Sequence, residues 1–555
     1  MPKRGTQHTL YLSDYVLASC WHPKLRTSGY FERRCAMADY DAIVVGAGHN
    51  GLTAATVLAR NGLSVLCVEK NNWPGGMAAT RELFSGFKHN VGAWGMLVFR
   101  DQMLKLLELD KYGLELMRPR TSYCVYGAPE DVCFIGYTDV NEITQHLMND
   151  HGPDAMESLA GLYNYLQKFK AVVDQELFKP PTPLDTLIAN APDAETREML
   201  LRTVYGSAID VLRQFFPDPK KHRLIQGSLC ASAIDGTHMS PFSPGSGLSL
   251  AYHYTMGDAY DFRTPRGGIG ALSKALVESL EDHGGKVQYG TPVKRFLIEN
   301  GETAGVELKS GEKISARVVL SSLDAHATFL RMVGEDRLPS DFVQGVKEIE
   351  YRNGYLQIHM TVKELPEFTG HLAFTNENNI RWLMAYIPSP EHIARHWEQY
   401  RRGQVPDDPL AYCAFPSVND PTLAPQGYHT CTIFSPYFPY DVPEGKLKEM
   451  SMLMADRAID QIARRAPNFR DAIMDKAVLT HRWFENTYGV TGGDYASGLL
   501  HPGQMWHRRP VVGWANYRTP IENLFMCGSG CHPGPGITCV PGYNGANEVL
   551  KDWKG

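Results

Sequence analysis

The sequence lacks two features that would assign it to a membrane or to a nucleic acid. No run of about 18 apolar residues occurs, so we expect no segment that spans a bilayer, although a peripheral membrane contact stays open. No run of Lys and Arg stands out either, and the net charge is −6. Because proteins that bind nucleic acid carry a basic footprint, we expect no nucleic-acid partner.

The chain also lacks the cysteine spacing of a disulfide-rich secreted protein. Its 11 cysteines are odd in number and scattered, and no uninterrupted apolar segment of a secretory signal occurs near the N-terminus. We therefore expect reduced thiols and a cytoplasmic protein.

The first 36 residues differ in composition from the rest of the chain. We interpret them as a loosely attached extension, or as the product of an upstream start codon, with Met37 opening the functional chain. The alternative is a transit peptide, which would place the protein in the mitochondrion. Both interpretations depend on an excess of basic over acidic residues in this segment. Its basic residues are Lys3, Arg4, Lys24, Arg26, Arg33 and Arg34.

What the sequence does contain is a βαβ pattern just after Met37. The apolar run 41–45 predicts a buried parallel strand, the Ala- and Leu-rich stretch 52–61 a helix, and residues 63–68 a second strand. The turn between the first strand and the helix carries Gly46, Gly48 and Gly51. In a dinucleotide-binding turn these glycines permit the tight bend, the approach of the pyrophosphate and the close packing of helix on strand.

Glu69 follows the second strand. An acid at that place accepts hydrogen bonds from a ribose 2′-hydroxyl and repels a 2′-phosphate. This motif does not by itself separate FAD from NAD. The second glycine pair, Gly75-Gly76, is unusual in NAD-binding domains and favours FAD.

The rest of the chain alternates between helical and β-rich stretches. Residues 101–260 are mainly helical in pattern, and a helix opens at 265–272. Strands follow up to residue 320 and again within 335–495. The chain closes with a strand at 523–527, a glycine-rich turn and a helix at 544–552.

Several of these segments together resemble the phytoene-desaturase-related branch of the amine-oxidase-type flavoproteins. Gly75-Gly76 with Thr80, the segment 90–94 and the helix start 265–272 resemble flavin-contacting segments of the family, and Val293 falls where its backbone holds the adenine. The most specific match is at 524–537, which resembles the final flavin motif. The stretches 240–247 and 420–425 resemble the branch labelled pyridine nucleotide-disulphide oxidoreductase domain 2. The likeness covers residues 39–555.

The resemblance implies an α/β fold of the amine-oxidase and phytoene-desaturase type. We expect a discontinuous Rossmann-like FAD-binding domain from 37–100, 261–334 and 510–555, and an inserted α+β substrate-binding domain from 101–260 and 335–509. Homo-oligomers are compatible with this interpretation. The residues expected to bind FAD are Gly46, Gly48, Asn50, Gly51, Glu69, Lys70, Gly75, Gly76, Met77, Thr80, Gly92, Ala93, Trp94, Val293, Gly528, Ser529, Pro535, Gly536 and Ile537.

Two positions depart from the family pattern. Met77 stands where many relatives have an arginine near the phosphates, and Asn90 where many have an acid. We expect phosphate neutralisation to depend more on backbone amides and on the helix dipole.

Disulfide redox chemistry is not expected, because a dithiol flavoenzyme needs two cysteines separated by two or four residues against the flavin. Neither Cys67 nor the pair Cys124 and Cys133 offers that arrangement. The cluster Cys527, Cys531, His532 and Cys539 raises the alternative of a metal site. We expect no metal, since the glycines between these residues are assigned to flavin contacts and buried thiols explain the cysteines.

His532 and Tyr495 are the candidate catalytic residues, with Tyr488 and His501 as further candidates for a proton acceptor. His532 lies inside the final flavin motif, and the alternative is a turn histidine that holds backbone. Aromatic residues suited to an apolar substrate chamber are Tyr252, Tyr254, Tyr355, Tyr437, Phe438, Tyr440 and Trp506. Any one of them could equally be core.

Three functions fit these observations. The first is a desaturase or dehydrogenase that removes a hydride from a small hydrophobic substrate to flavin N5 and passes the electrons to a quinone or another acceptor. The second is an oxidase of an amine or alcohol that uses O2, and the third is a non-catalytic flavin-binding interaction protein. An NAD-dependent dehydrogenase without flavin is a fourth alternative.

Overall fold

Short apolar runs of the sequence become buried strands in the computed structural model, which describes residues 38–128, 132–258, 262–377 and 379–553. Tyr40–Val45 shows the pattern best: its last four residues are buried, as in a parallel strand covered on both faces. In chain order the strands are β1 (Tyr40–Val45), β2 (Val65–Val68), β3 (Ala78–Phe84), β4 (Phe87–Gly92), β5 (Leu116–Met117), β6 (Thr121–Tyr126), β7 (Phe134–Tyr137), β8 (Thr264–Pro265), β9 (Lys286–Gln288), β10 (Val293–Glu299), β11 (Glu302–Leu308), β12 (Lys313–Ser321), β13 (Tyr355–Val362), β14 (Leu383–Tyr386), β15 (Ala411–Ala414), β16 (His429–Pro436), β17 (Ile473–Thr480) and β18 (Leu524–Met526).

The α-helices connect and cover these strands. Most of the longer ones bury one side only; α4, for example, buries Leu162, Leu166 and Phe169 at spacings of three and four residues. In chain order they are α1 (His49–Arg60), α2 (Asp101–Leu107), α3 (Val140–His146), α4 (Pro153–Glu176), α5 (Leu184–Ala189), α6 (Ala194–Tyr205), α7 (Ala208–Leu212), α8 (Arg223–Ile234), α9 (Ser246–Thr255), α10 (Gly270–Asp282), α11 (Ser340–Lys347), α12 (Pro390–Arg401), α13 (Glu444–Ala463), α14 (Phe469–Ala472), α15 (His481–Tyr488) and α16 (Val540–Trp553).

The first of two seven-stranded sheets collects strands from distant parts of the chain. Its order is β10-β11-β12-β1-β2-β9, and β18 also pairs with β12. β1 lies parallel to β2 and β12, and β18 lies parallel to β12, so the carboxyl ends of these strands meet at one edge. The domain boundaries themselves stay a prediction, because residues from Asp39 onwards form one compact unit.

The second sheet has the order β17-β13-β16-β15-β14-β6-β7 and is largely antiparallel. The stretch 101–260 is mainly helical, as the sequence predicts, but it also contains β5, β6 and β7, which the sequence did not reveal. β6 pairs in parallel with β14, far away in sequence, through Met384↔Cys124 and Ala385↔Val125. A short apolar run whose pairing partner is so distant carries no periodicity that separates strand from helix. β13 (Tyr355–Val362), in contrast, is one of the strands that the sequence predicts within 335–495.

Two expectations from the sequence, the alternative of a transit peptide and the absence of a membrane-spanning segment, concern the location of the protein in the cell. The basic segment 1–36 lies outside the described residues. Within the described ranges, no helix combines the length and the apolar character that crossing a bilayer requires.

Several histidines are buried and held neutral, and they make the fold sensitive to acid. Burial lowers the pKa of His49, His89, His481 and His532 to about 4 in each case. In the unfolded chain a histidine has its ordinary pKa near ~6.5, so the unfolded state binds more protons below that pH. The stability that these neutral histidines contribute is therefore fully present above about pH 6.5 and is lost as the pH falls towards 4.

We expect the His89→Phe variant to lose less stability between pH 7 and pH 5 than the wild-type protein. Neither ring nitrogen of His89 has a hydrogen-bond partner among the described residues, and the ring packs edge-on against Phe84 and His359. Phenylalanine keeps those ring contacts without a proton to take up. Urea unfolding at both pH values measures the effect, and the exposed His283→Phe variant is the control. An acid-induced loss equal to that of the wild type would refute this assignment.

Candidate functional site

The glycine turn after β1 forms the tight cradle that the sequence predicts. Gly46 has a φ of +97°, and its N–H donates to the carbonyl of Val68 at 2.8 Å. A Cβ on Gly51 would lie 2.0 Å from the Gly46 carbonyl oxygen, so only glycine fits there. α1 begins at His49 without an acid in its first turn and without a side-chain cap. Its free N–H groups and positive dipole end are available to a phosphate.

Glu69 stands where the sequence predicts the ribose-binding acid. Its side chain is 7% exposed, and its two carboxylate oxygens accept the N–H groups of Ala47 and Asn71, both at 2.9 Å. Burial raises the pKa of Glu69 above its ordinary value, and these hydrogen bonds oppose that rise. Lys70 is next in the chain, and its Nζ lies 3.2 Å from the carbonyl of Asn486. Val293 begins β10 in the same sheet, whereas Glu69 follows the end of β2.

The second glycine pair lies directly against the first turn. The N–H of Gly75 donates to the carbonyl of Ala47 at 2.7 Å, and Gly75 forms a β-bridge with Gly48. A Cβ on Gly75 would lie 2.5 Å from the Ala78 carbonyl oxygen, so this close approach also requires glycine. Gly76 follows with a φ of +55°.

The hairpin of β3 and β4 carries Thr80 and Asn90 opposite each other. The Thr80 hydroxyl donates to Asn90 Oδ1 at 2.8 Å, and the same oxygen accepts the N–H of Ile269 at 3.0 Å. Thr80 Oγ1 also accepts the N–H of Gly270 at 2.8 Å. Both side chains therefore hold the start of α10 against the hairpin, which gives the departure at Asn90 a structural role.

The final motif is fastened to the start of α1. Asn50 Nδ2 donates to the Ser529 hydroxyl at 3.0 Å, and His49 Nε2 donates to the carbonyl of Gly536 at 3.2 Å. Gly528 sits where a Cβ would lie 2.5 Å from the Ser322 carbonyl oxygen. Segments from the two ends of the described chain thus meet above one edge of the first sheet.

These segments open onto a large cavity that is partly open to solvent; its empty space, with the solvent at the opening included, is about 1790 Å³. Part of the lining comes from the expected FAD-binding set, namely Met77, Gly92, Ala93, Trp94, Ser529, Pro535, Gly536 and Ile537. Another part comes from the second sheet, through Tyr355, Gln357, Leu383, Ala385 and Phe434 among others. α8 and α9 contribute further residues.

Of the aromatic residues expected in a substrate chamber, Tyr252, Tyr355 and Tyr437 line the cavity. Phe438 and Tyr440 pack against His481 instead, and Trp506 packs against His532. Tyr254 is partly buried against the main core. These four lie outside the lining of this cavity.

Some of the candidate catalytic residues line the cavity and others do not. Tyr495 lines the cavity. His532 is 3% exposed and lies outside that lining, and its Nε2 donates to the carbonyl of Glu176 at 2.9 Å, as expected of a histidine that holds backbone. Tyr488 stacks on Phe484, and His501 Nδ1 accepts the N–H of Gly503. Only Tyr495 of the four therefore faces the space in which a substrate would lie.

Two polar residues beside Tyr495 were not found from the sequence. The Tyr495 hydroxyl donates to Asp235 Oδ1 at 2.6 Å, and His253 Nε2 lies 3.3 Å from Asp235 Oδ2. Burial opposes the charge on both groups, but their mutual interaction and their other hydrogen bonds together outweigh it, so the pKa of Asp235 lies below and that of His253 above its ordinary value. Asp235 follows the end of α8 and His253 lies on α9. No motif marks either residue.

Gln357 is a third residue that sequence reasoning missed. Its amide Nε2 donates to the Gly92 carbonyl at 2.7 Å, and its Oε1 accepts the Gly92 N–H at 3.1 Å. Gln357 lies on β13, so the second sheet directly contacts and fixes the backbone of an expected flavin segment at the end of β4.

The cysteines near the final motif are buried thiols. Burial raises the pKa of Cys531 and of Cys539 to about 12. Within the described ranges, no group of three or more His, Cys, Asp and Glu residues is arranged to hold a metal ion.

The geometry of this region fits FAD. Asn50 Oδ1 is buried at the start of α1 and has no hydrogen-bond partner among the described residues. The glycine cradle below it excludes side chains, and the cavity beyond it is lined by the segments expected to contact the flavin ring. The phosphates would lie at the N-terminus of α1 and the ring at the cavity.

Comparisons with known proteins agree with this fit. A sequence profile of the family described as "Flavin containing amine oxidoreductase" matches residues 51–542. The solved structure of a wild-type putrescine oxidase bound to putrescine superposes with a TM-score of 0.59 at 16% identity, covering 93% of this chain and 99% of that chain. This likeness confirms the predicted α/β fold of the amine-oxidase type.

Curated relatives match over most of their length. Pyridine nucleotide-disulfide oxidoreductase domain-containing protein 2 of Rattus norvegicus is 28% identical over 553 residues, which is 94% of this chain and 95% of the rat protein. The chloroplastic prolycopene isomerase of Daucus carota is 27% identical and covers 93% of this chain and 80% of the carrot protein. One of the proteins that make up the limonene dehydrogenase of Castellaniella defragrans is 26% identical, with 92% of this chain and 94% of that protein covered.

Proposed function

Because the chain belongs to the flavin-containing amine oxidoreductase family and is an FAD-dependent oxidoreductase, we propose that it acts as a dehydrogenase or desaturase on a hydrophobic substrate. The family and the cofactor predicted from the sequence are confirmed by the profile match. The reaction and the substrate are the subject of the proposal.

The observation that carries the proposal is the cavity shared by the expected flavin segments and an apolar, aromatic wall. Gly92, Ala93 and Gly536 line it together with Leu383 and Phe434 of the second sheet. A substrate held in this cavity would be in contact with the flavin ring and with apolar side chains. Apolar walls favour an apolar ligand because its transfer out of water is the main source of binding free energy.

The flavin, when bound, supplies the redox chemistry by accepting a hydride equivalent from the substrate. The chain's own residues position the reactants and keep the site dry. Gln357 fixes the Gly92 backbone, and His49 holds Gly536 in place from the start of α1. Tyr252 donates to the carbonyl of Pro535 at 2.7 Å, so α9 also supports the final motif.

The names of two relatives support an apolar substrate. Limonene and prolycopene are both unsaturated hydrocarbons, and the proteins named for them match this chain over most of their length. We extend that chemistry to this chain as part of the proposal, with a quinone or another non-oxygen acceptor as the partner that takes the electrons.

The proposal predicts that an apolar unsaturated compound bleaches the flavin under anaerobic conditions. The purified holoprotein should show an oxidised flavin spectrum, and its visible bands should fade when a suitable substrate from a hydrocarbon panel is added. Air should then restore the spectrum slowly. Fast return with release of hydrogen peroxide would instead indicate an oxidase, and no bleaching by any apolar compound would refute the proposed substrate class.

A cavity-filling variant provides the control for that experiment. Ala231 lies on α8 and lines the cavity, so Ala231→Phe should slow bleaching at limiting substrate while the flavin content stays unchanged. Ala160 is an exposed alanine within α4, and Ala160→Phe should have no effect on bleaching. Equal bleaching by the two variants would contradict the assignment of the cavity.

A further inference from the structure

The described part of the cavity lining contains one charged group among apolar and uncharged polar side chains. Asp235, His253 and Tyr495 come from three separate segments of the chain and meet there, and all three line the cavity. Among the described lining residues, Asp235 is the only one with a carboxylate, and none is a lysine or an arginine. Placing a pair of opposite charges in a largely apolar wall costs free energy of desolvation, so its presence indicates a function.

The hydrogen bonds of the group fix where its protons lie. The carbonyl of Ser249 can only accept, so His253 Nδ1 donates to it at 2.9 Å. His253 Nε2 faces the carboxylate of Asp235 at 3.3 Å, and the raised pKa of His253 together with the lowered pKa of Asp235 favours an imidazolium and a carboxylate. The N–H of Gly236 donates to the Tyr495 oxygen at 2.9 Å, so the Tyr495 proton points to Asp235. Tyr495 and His253 therefore hold Asp235 as an acceptor.

The Asp235 carboxylate is still open on the cavity side. Its side chain is 47% accessible although it lies in the interior, and the accessible surface faces the cavity space. A carboxylate has lone pairs for about four hydrogen bonds, and Tyr495, His253 and the backbone N–H of Gly236 use only part of that capacity. A donor on a bound molecule can take up the remainder.

We propose that this group is a subsite that binds a neutral hydrogen-bond donor, a hydroxyl group, on an otherwise apolar substrate. The inference rests on the proposed function and narrows its substrate class. The imidazolium of His253 balances the carboxylate, so the subsite has no net charge and an ammonium group would be repelled by His253. The other described titratable base in the lining, His49, is neutral because burial lowers its pKa to about 4.

Three compounds with one carbon skeleton test this subsite: limonene, perillyl alcohol and perillylamine. Calorimetric titration of the holoprotein measures their affinities without turnover. We expect the alcohol to bind roughly tenfold more tightly than limonene, since a hydrogen bond to a charged acceptor contributes about 1.5 kcal/mol or more. The amine should bind no better than the alcohol.

Substitutions of Asp235 and His253 test whether these residues cause the preference for the alcohol over limonene. Asp235→Asn removes the charge at constant shape and should reduce the preference for the alcohol over limonene to about threefold or less. His253→Gln leaves Asp235 with a net negative charge, so the amine should now bind better than the alcohol. Tyr437→Phe is the matched control, because Tyr437 lines the same cavity but donates its hydroxyl to the carbonyl of Met239 at 2.6 Å. It should keep the wild-type preference.

The outcomes separate this inference from the proposed function. Equal binding of limonene and the alcohol to the wild type, or a full alcohol preference in a folded Asp235→Asn holoprotein, would overturn the subsite and leave the proposed function standing. Absence of binding by all three compounds would overturn both. The flavin content and the melting temperature of each variant show whether it is folded. If Asp235→Asn does not fold, the test is whether His253→Gln binds the amine better than the alcohol.

Discussion

The Gly51→Ala variant is expected to lose FAD during purification. The new Cβ would lie 2.0 Å from the Gly46 carbonyl oxygen and 2.9 Å from Ser322 Cβ, and the first of these atoms belongs to the backbone of the glycine turn. The turn must open to remove the contact, which moves the N–H groups that receive the phosphates. We expect FAD affinity to fall on the order of 100-fold, equivalent to about 2.7 kcal/mol. Flavin absorbance relative to protein absorbance measures the loss.

Gly445→Ala is the matched control for that substitution. Gly445 lies in α13, and a Cβ there has no atom within 4 Å. This variant should keep its FAD and gain slightly in stability, because alanine favours a helix over glycine. If Gly51→Ala protein is folded and retains FAD like the control, the glycine turn is not the phosphate site.

The parts of the site that sequence reasoning found are those with local backbone requirements. Gly46, Gly51 and Gly75 occupy conformations or close approaches that other residues cannot adopt, so their spacing is visible in the sequence itself. Glu69 belongs to the same short unit, and its position follows from the length of one βαβ turn. Their placement against one another follows from parallel pairing of β1 with β2.

The part of the cavity formed by the second sheet, α8 and α9 depends on contacts that no local pattern encodes. β6 pairs with β14 only once the whole chain has folded. Asp235 contacts His253 because the end of α8 lies beside α9. His532 shows that a position inside a motif does not guarantee a role in the site. It lies within the final motif in sequence, yet its ring points away from the cavity towards the carbonyl of Glu176. Proximity along the chain does not determine the direction of a side chain.

A buried arginine, Arg509, is expected to be the most sensitive single residue outside the glycine turns. Its side chain is 2% exposed, and it donates to the carbonyls of Ser529 at 2.8 Å and Gly498 at 2.9 Å, with Ala496 as a further acceptor. It joins the loop after Tyr495 to the final flavin motif. Within the described chain no acid forms an ion pair with it, so these carbonyls carry its stabilisation.

Arg509→Met removes the donors at nearly constant length and leaves several buried carbonyls without a partner. Each such group costs about 1–3 kcal/mol, so we expect a loss of stability on the order of 4 kcal/mol together with loss of FAD. The measurements are the urea midpoint and the flavin content of the purified protein.

Arg508→Met separates this effect from a general loss of positive charge. Arg508 is the preceding residue and is exposed, so its replacement should leave the midpoint and the flavin content unchanged. Because Arg509 binds both Ser529 and Gly498, loss of its donors should loosen the cofactor side and the Tyr495 side of the cavity together. A variant that becomes less stable but keeps full FAD occupancy would show that the Ser529 contact does not support the cofactor, and Arg509 would then serve only the loop.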